Sequence, residues 1–126
     1  MSITEKIIVT DTNIITDLSN ANILDKFVSL DNVYISDLVK TDEVNFKTGN
    51  LKIINKFKTL KITEEQLIEV STLASKESKL SIYDVINYIL ARDNDGGLAT
   101  GDDRLRKYSL ENGVKVIRTL KIIRLL

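Results

Sequence analysis

Apolar runs of three or four residues recur along this chain, each stopped by a polar turn and followed by a helical pattern. Ile7-Ile8-Val9 runs into Asp11-Thr12-Asn13, and Gly97-Leu98-Ala99 runs into Thr100-Gly101-Asp102-Asp103. Runs this short and this rich in β-branched residues read as buried strands. The pattern predicts strands over 6–11, 32–35, 60–62, 97–100 and 114–117. Between them it predicts helical segments over 13–18 and 23–30 and a helix from Ser36 or Asp37 to about Glu43. A loop over 45–50 and a helix over 51–57 follow. Further helices run from Thr63 toward Ser75, from Ser81 to near Arg92 and over 102–112, with Gly113 as a C-cap and a short amphipathic tail at the end. Strands alternating with helices imply a mostly parallel sheet covered on both faces. Open sheets of that kind bind ligands at the carboxyl ends of their strands, so Asp11 and Asp102 are expected on one functional edge.

The chain has 126 residues, enough for one domain over 1–126 and too few for a second. Histidine and cysteine are absent, which excludes disulfides, thiolate zinc sites and thiol nucleophiles. Chemistry is left to carboxylates, hydroxyls, amides, lysines, arginines or a hard metal ion. No apolar run approaches the roughly 18 residues of a membrane span. The first residues, Met1 to Lys6, carry no basic region followed by an apolar stretch, so a cytoplasmic protein is expected.

Net charge is zero, yet its distribution is uneven. Lys47, Lys52, Lys56, Lys58 and Lys61 lie in a stretch with no acid, and residues 104–126 hold seven basic residues against Glu111 alone. Either segment could be a solvated face. Basic segments flanking an acidic centre also suit a polyanion held over a metal site, with Lys47, Lys52, Lys56 and Lys58 on one side and Arg104 and Lys107 on the other.

Several acids compete between a structural and a chemical reading. Asp11 and Asp102 are good helix N-caps, Asp103 adds first-turn charge, and Asn13 suits a turn. Asp84 carries a sharper signal, being the only charged residue between Ser81 and Ala91. Ile82, Val85, Ile86 and Ile89 form one apolar stripe, with Asp84, Asn87, Tyr88 and Ala91 on the other side. A lone carboxylate on a helix covered on both sides must be paired, hydrogen-bonded or metal-bound, although a capping box with Ser81 would also account for it. In the preceding helix Asp42 tracks the core face set by Leu38 and Val39 better than Glu43 does.

These pieces together resemble the PIN-domain ribonucleases over nearly the whole chain. The matching elements are Asp11-Thr12-Asn13 after a strand, then Ile35-Ser36-Asp37-Leu38-Val39 followed by Asp42-Glu43. Next come Leu80-Ser81 with Asp84 and Ala91, and finally Leu98, Thr100, Asp102 and Leu105. No single motif is specific; their order and spacing are. The chain departs from the pattern at the second acid, where the family usually has glutamate and this chain has Asp42, with Glu43 one residue later. Asp42 is the slightly favoured candidate of the two.

The resemblance implies a three-layer α/β/α fold with a mostly parallel sheet of four to five strands. It also implies an endoribonuclease that hydrolyses RNA phosphodiester bonds with Mg²⁺ or Mn²⁺. Clustered carboxylates repel one another, and oxygen-only ligands favour those ions over zinc. Asp11 and Asp102 would be direct ligands, with Asp84 and Asp42 or Glu43 binding directly or through water. Thr100, Asn13 and Asp103 would orient the cluster. Chains of this size are similar to the VapC-type toxins of toxin–antitoxin pairs, which implies a homodimer and an antitoxin protein partner. Two other readings compete. One is a catalytically inactive PIN fold that binds RNA or acts as a scaffold. The other is a receiver-type phosphoacceptor domain, which needs an aspartate where this chain offers Lys52 to Lys61.

Overall fold

The computed structural model describes residues 6–41 and 56–126. Its centre is a five-stranded sheet in the order β3-β2-β1-β4-β5. The strands are β1 (Ile8–Thr10), β2 (Val33–Ser36), β3 (Lys58–Leu60), β4 (Gly97–Ala99) and β5 (Lys115–Ile117). Every pairing is parallel. The helices are α1 (Thr12–Asn20), α2 (Leu24–Val28), α3 (Asp37–Val39), α4 (Glu64–Lys76), α5 (Ile82–Asp93), α6 (Asp103–Glu111) and α7 (Thr119–Leu125). This is the expected α/β/α fold with a parallel sheet, here wholly parallel. A receiver domain has the strand order 2-1-3-4-5, so that reading does not fit.

The strand order fixes where a ligand can go. The chain leaves β1 toward β2 and β3, then returns to pair β4 with the other edge of β1 before adding β5. The direction of winding therefore reverses between β1 and β4, and the loops after these strands part to leave a crevice at their carboxyl ends. Register aligns Thr10 with Ala99, so Asp11 and Thr100 emerge side by side.

The core explains why β1 and β4 sit at the centre. Ile8, Val9, Leu98 and Ala99 are fully buried, as are Ile14, Ile15 and Leu18 of α1 and Leu105 of α6. Strands buried on both faces read as continuous apolar runs, which is how β1 and β4 appear in the sequence. β3 starts two residues before the expected 60–62. Its place is set by pairing Tyr34 with Lys58 and Ser36 with Leu60, since an edge strand with two exposed residues has little hydrophobic pattern of its own. The predicted loop over 45–50, most of the predicted helix over 51–57 and the end of the helix predicted to reach Glu43 fall outside the described residues.

α5 is covered on both sides, with every residue from Val85 to Ala91 buried. Ile82, assigned above to the apolar stripe, is 59% exposed instead, because it lies in the first turn, before the buried stretch begins. α4 is fastened to α5 by Arg92, whose guanidinium donates to both carboxylate oxygens of Glu69 at 2.5 and 2.7 Å. Helix ends follow residue type. Thr63 and Gln66 form a capping box at α4. Gly113, at φ 82°, takes the left-handed conformation that ends α6.

Candidate active site

Three helices start at the crevice, and a carboxylate sits at the start of each. Asp11 is the N-cap of α1, its Oδ1 accepting the Ile14 N–H at 2.9 Å. Asp102 is the N-cap of α6, its Oδ1 accepting from the N–H groups of Arg104 at 2.8 Å and Leu105 at 3.1 Å. Asp84 stands in the first turn of α5 and closes a capping box with Ser81, both bonds 3.0 Å long. The capping roles weighed in the sequence are therefore real for all three acids. They also serve to aim the side chains: Asp11, Asp84 and Asp102 line one cavity of about 220 Å³ together with Thr12, Asn13 and Asn87. The partial positive charge at a helix start offsets part of the mutual repulsion.

Asp11 is the most enclosed of the three, only 4% exposed. Burial is the main reason its carboxyl rises from 3.8 to about 6. The hydrogen bonds from Thr100 and Ile14 pull it down, while the charges of Asp84 and Asp102 push it further up. Thr100 is fully buried and joins two acids: its hydroxyl donates to Asp11 Oδ2 and accepts the Asp102 N–H at 3.1 Å.

Asn87 was not singled out from the sequence as a site residue. It lies one turn beyond Asp84, is 2% exposed, and among the described residues its Oδ1 has no hydrogen-bond partner. A buried amide oxygen without a donor is costly, and this one belongs to a residue of the acidic cavity wall. Spacing of three from Asp84 was the only sequence signal for it.

The remaining candidates separate. Asn13 is exposed and lines the cavity. Asp103 does not; it turns outward to Arg106 at 3.6 Å and Arg118 at 3.8 Å. Arg104, Lys107 and Lys56 are exposed and away from the cavity wall. Lys58 donates to the Asp31 carbonyl at 2.5 Å, at the amino end of β2 and hence the opposite edge of the sheet from Asp11. Asp42, Glu43, Lys47 and Lys52 lie outside the described residues.

The donor set suits a hard cation: carboxylates and an amide oxygen, in a chain without histidine or cysteine. Among the described residues no group of three acidic side chains is arranged to hold an ion by itself. Mg²⁺ is commonly held by one or two carboxylates, with water and substrate oxygens completing its shell. The Asn87 oxygen, without a donor among the described residues, and the buried Asp11 carboxyl, raised chiefly by burial, are both groups that a cation in this cavity would suit.

A PIN-domain family model matches residues 7–126, and the chain belongs to the PIN-domain family. PIN domains are generally nucleases and typically use divalent metals. Twelve chains of solved structures match this one. Among them is the crystal structure of PAE2754 from Pyrobaculum aerophilum, at a TM-score of 0.69 and 19% identity, covering 94% of this chain and 88% of that one. Identity that low speaks for the fold alone. Comparison with curated proteins gives no match. Among the described residues, no helix is long and apolar enough to cross a membrane.

Proposed function

We propose that this protein is a divalent-metal-dependent endoribonuclease, working with Mg²⁺ or Mn²⁺. The observation that supports this reading is the meeting of Asp11, Asp84 and Asp102, from three separate elements, on one cavity at the β1–β4 crevice. Asp11 and Asp102 are the direct ligands in this reading, and Asp84 binds directly or through water, joined by Asp42 or Glu43. When bound, the ion supplies the positive charge that polarises a phosphodiester and acidifies a water molecule. The protein's own part is positional. Cap bonds on Asp102 Oδ1 direct that carboxylate, and Thr100 holds Asp11 and the Asp102 backbone in fixed relation. Asn13 and Asn87 offer amide groups to the same cavity.

The test is cleavage of a labelled single-stranded RNA by the wild-type chain and by Asp11→Asn, with Mg²⁺, with Mn²⁺ and with chelator. Metal-dependent cleavage lost in the variant supports the reading. Cleavage that survives Asp11→Asn at the wild-type rate would retire it. RNA binding without cleavage under any ion would leave the acids as helix caps of a PIN-fold RNA-binding module. Within the nuclease reading, the likeness to VapC-type proteins adds the role of toxin, with an antitoxin partner and a homodimer. Expression in a bacterial host reads that role: growth arrest relieved by Asp11→Asn supports it. Unimpaired growth with an active enzyme would place the chain among RNA-processing nucleases.

A further inference from the structure

A second cavity adjoins the acidic one and has the opposite character. α7 and the loop after β4 enclose about 590 Å³ lined by Gly101, Arg118, Leu120, Lys121, Arg124 and Leu125. Gly101 sits between Thr100, which holds Asp11, and Asp102, which faces the acids. Neighbouring residues of one loop, Gly101 and Asp102, therefore line the two cavities. The loop packs closely on α7 at this point: a Cβ at Gly101 would lie 3.1 Å from Thr119 Oγ1.

The lining holds three cations and no acid. Arg118 is partly engaged by Asp103 at 3.8 Å. Lys121 and Arg124 are exposed, and among the described residues neither has a carboxylate partner. Beside them Leu120 is 71% exposed, an apolar surface left open among charges. Unpaired cations next to an apolar face match the two halves of a nucleotide: phosphate for the charges, base for the leucines.

We propose that this cleft holds the nucleotide adjoining the scissile phosphate, with Lys121 and Arg124 on its phosphate and Leu120 and Leu125 against its base. The proposal rests on the nuclease reading, since the acidic cavity places the scissile group and Gly101 joins it to the cleft. An acidic protein segment is the competing occupant. RNA is favoured because the cationic lining and the acidic one draw on neighbouring residues, Gly101 and Asp102, of one loop.

The test is the double variant Lys121→Gln/Arg124→Gln, both positions on the surface and outside the acidic cavity. In an Asp11→Asn background, binding of a ten-nucleotide single-stranded RNA is titrated at several salt concentrations. Loss of the one phosphate that the two cations share should flatten the salt dependence by about 0.7 in slope. In the active enzyme the same change should raise KM for the decamer with kcat kept, while a dinucleotide without terminal phosphates, which offers Lys121 and Arg124 no phosphate beyond the scissile one, is cleaved as before. An unchanged slope in a wild-type protein that does cleave RNA overturns the cleft alone. Binding with the expected slope change, but no cleavage by the wild type, retires the nuclease reading and keeps the cleft. If RNA binding is untouched while binding of a polyglutamate peptide is lost, the proposal falls in favour of an acidic protein partner.

Discussion

At the scale of single residues, Asp11 decides most. The fold buries this carboxyl beside two others and raises it from 3.8 to about 6, so the folded state holds the proton more tightly than the unfolded chain does. Its stabilising contribution is complete below about pH 4, where the group is protonated in both states, and is lost as pH climbs through about 6. Above that, the ionised carboxylate costs about 3 kcal/mol by this linkage. Asp11→Asn carries no charge at any pH. Without metal it should therefore be more stable than wild type at pH 7.5, by less than that amount because the Thr100 hydroxyl loses a charged acceptor, and no more stable at pH 4. Urea denaturation at the two pH values measures this, and a variant weaker at pH 7.5 would mean that the capping bonds outweigh the buried charge. Thr100→Val removes the donor to Asp11 and leaves the Asp102 N–H without its acceptor. The expected cost is about 1–3 kcal/mol, with the Asp11 carboxyl moving higher still, because the Thr100 bond is the strongest influence lowering it. An NMR titration of that carboxyl reads the shift directly, and an unmoved value would remove Thr100 from the site.

Among the elements, β1 and β4 carry the site, and their contact has a narrow tolerance. A Cβ at Gly96 would stand 2.4 Å from the Ile7 carbonyl oxygen, which is backbone and cannot swing aside. Gly96→Ala should force the start of β4 away from β1 and weaken the bond from Gly97 N–H to Ile7 O, now 2.9 Å. Overpacking of this kind costs about 1–3 kcal/mol; chemical denaturation checks it, and wild-type stability in the variant would show that the strands have slack. Most of the elements were legible because local chemistry dictated them: Thr63, Ser81 and Asp102 are N-caps by type and spacing, and Gly113 ends α6 through its positive φ. β3 was less so, since its residues face solvent and its register belongs to β2. Charge alone makes Lys58 a candidate phosphate contact, and its neighbour across the sheet is invisible in the sequence. Nothing local foretells that a side chain in an edge strand reaches back to Asp31. Asn87 escaped for a related reason: an asparagine among apolar residues has chemical meaning only once the fold turns it toward acids.

For the whole molecule, the decisive feature is the return of the chain to the free edge of β1, which brings Asp102 beside Asp11 from the far end of the sequence. Pairing between strands so distant in sequence leaves no local mark. The rule that parallel sheets bind at their carboxyl ends puts both acids on one edge, and the motif order, through the PIN resemblance, brings them into one site. That topology concentrates like charge in one small cavity while the chain as a whole is neutral, and a divalent ion should therefore couple to global stability. An ion that binds the folded state alone stabilises it by about 2.7 kcal/mol at a hundredfold excess over its dissociation constant. Mn²⁺ or Mg²⁺ should thus raise the melting temperature at pH 7.5. The rise should shrink at pH 5.5, where the proton held by Asp11 competes for the same oxygens. Asp102→Asn should remove most of the rise while keeping the cap, because asparagine also accepts the Arg104 and Leu105 N–H bonds. Melting curves with and without each ion, for both proteins at both pH values, make the comparison. If neither ion moves the wild-type curve at either pH, the acids at the β1–β4 crevice serve as helix caps and do not bind metal.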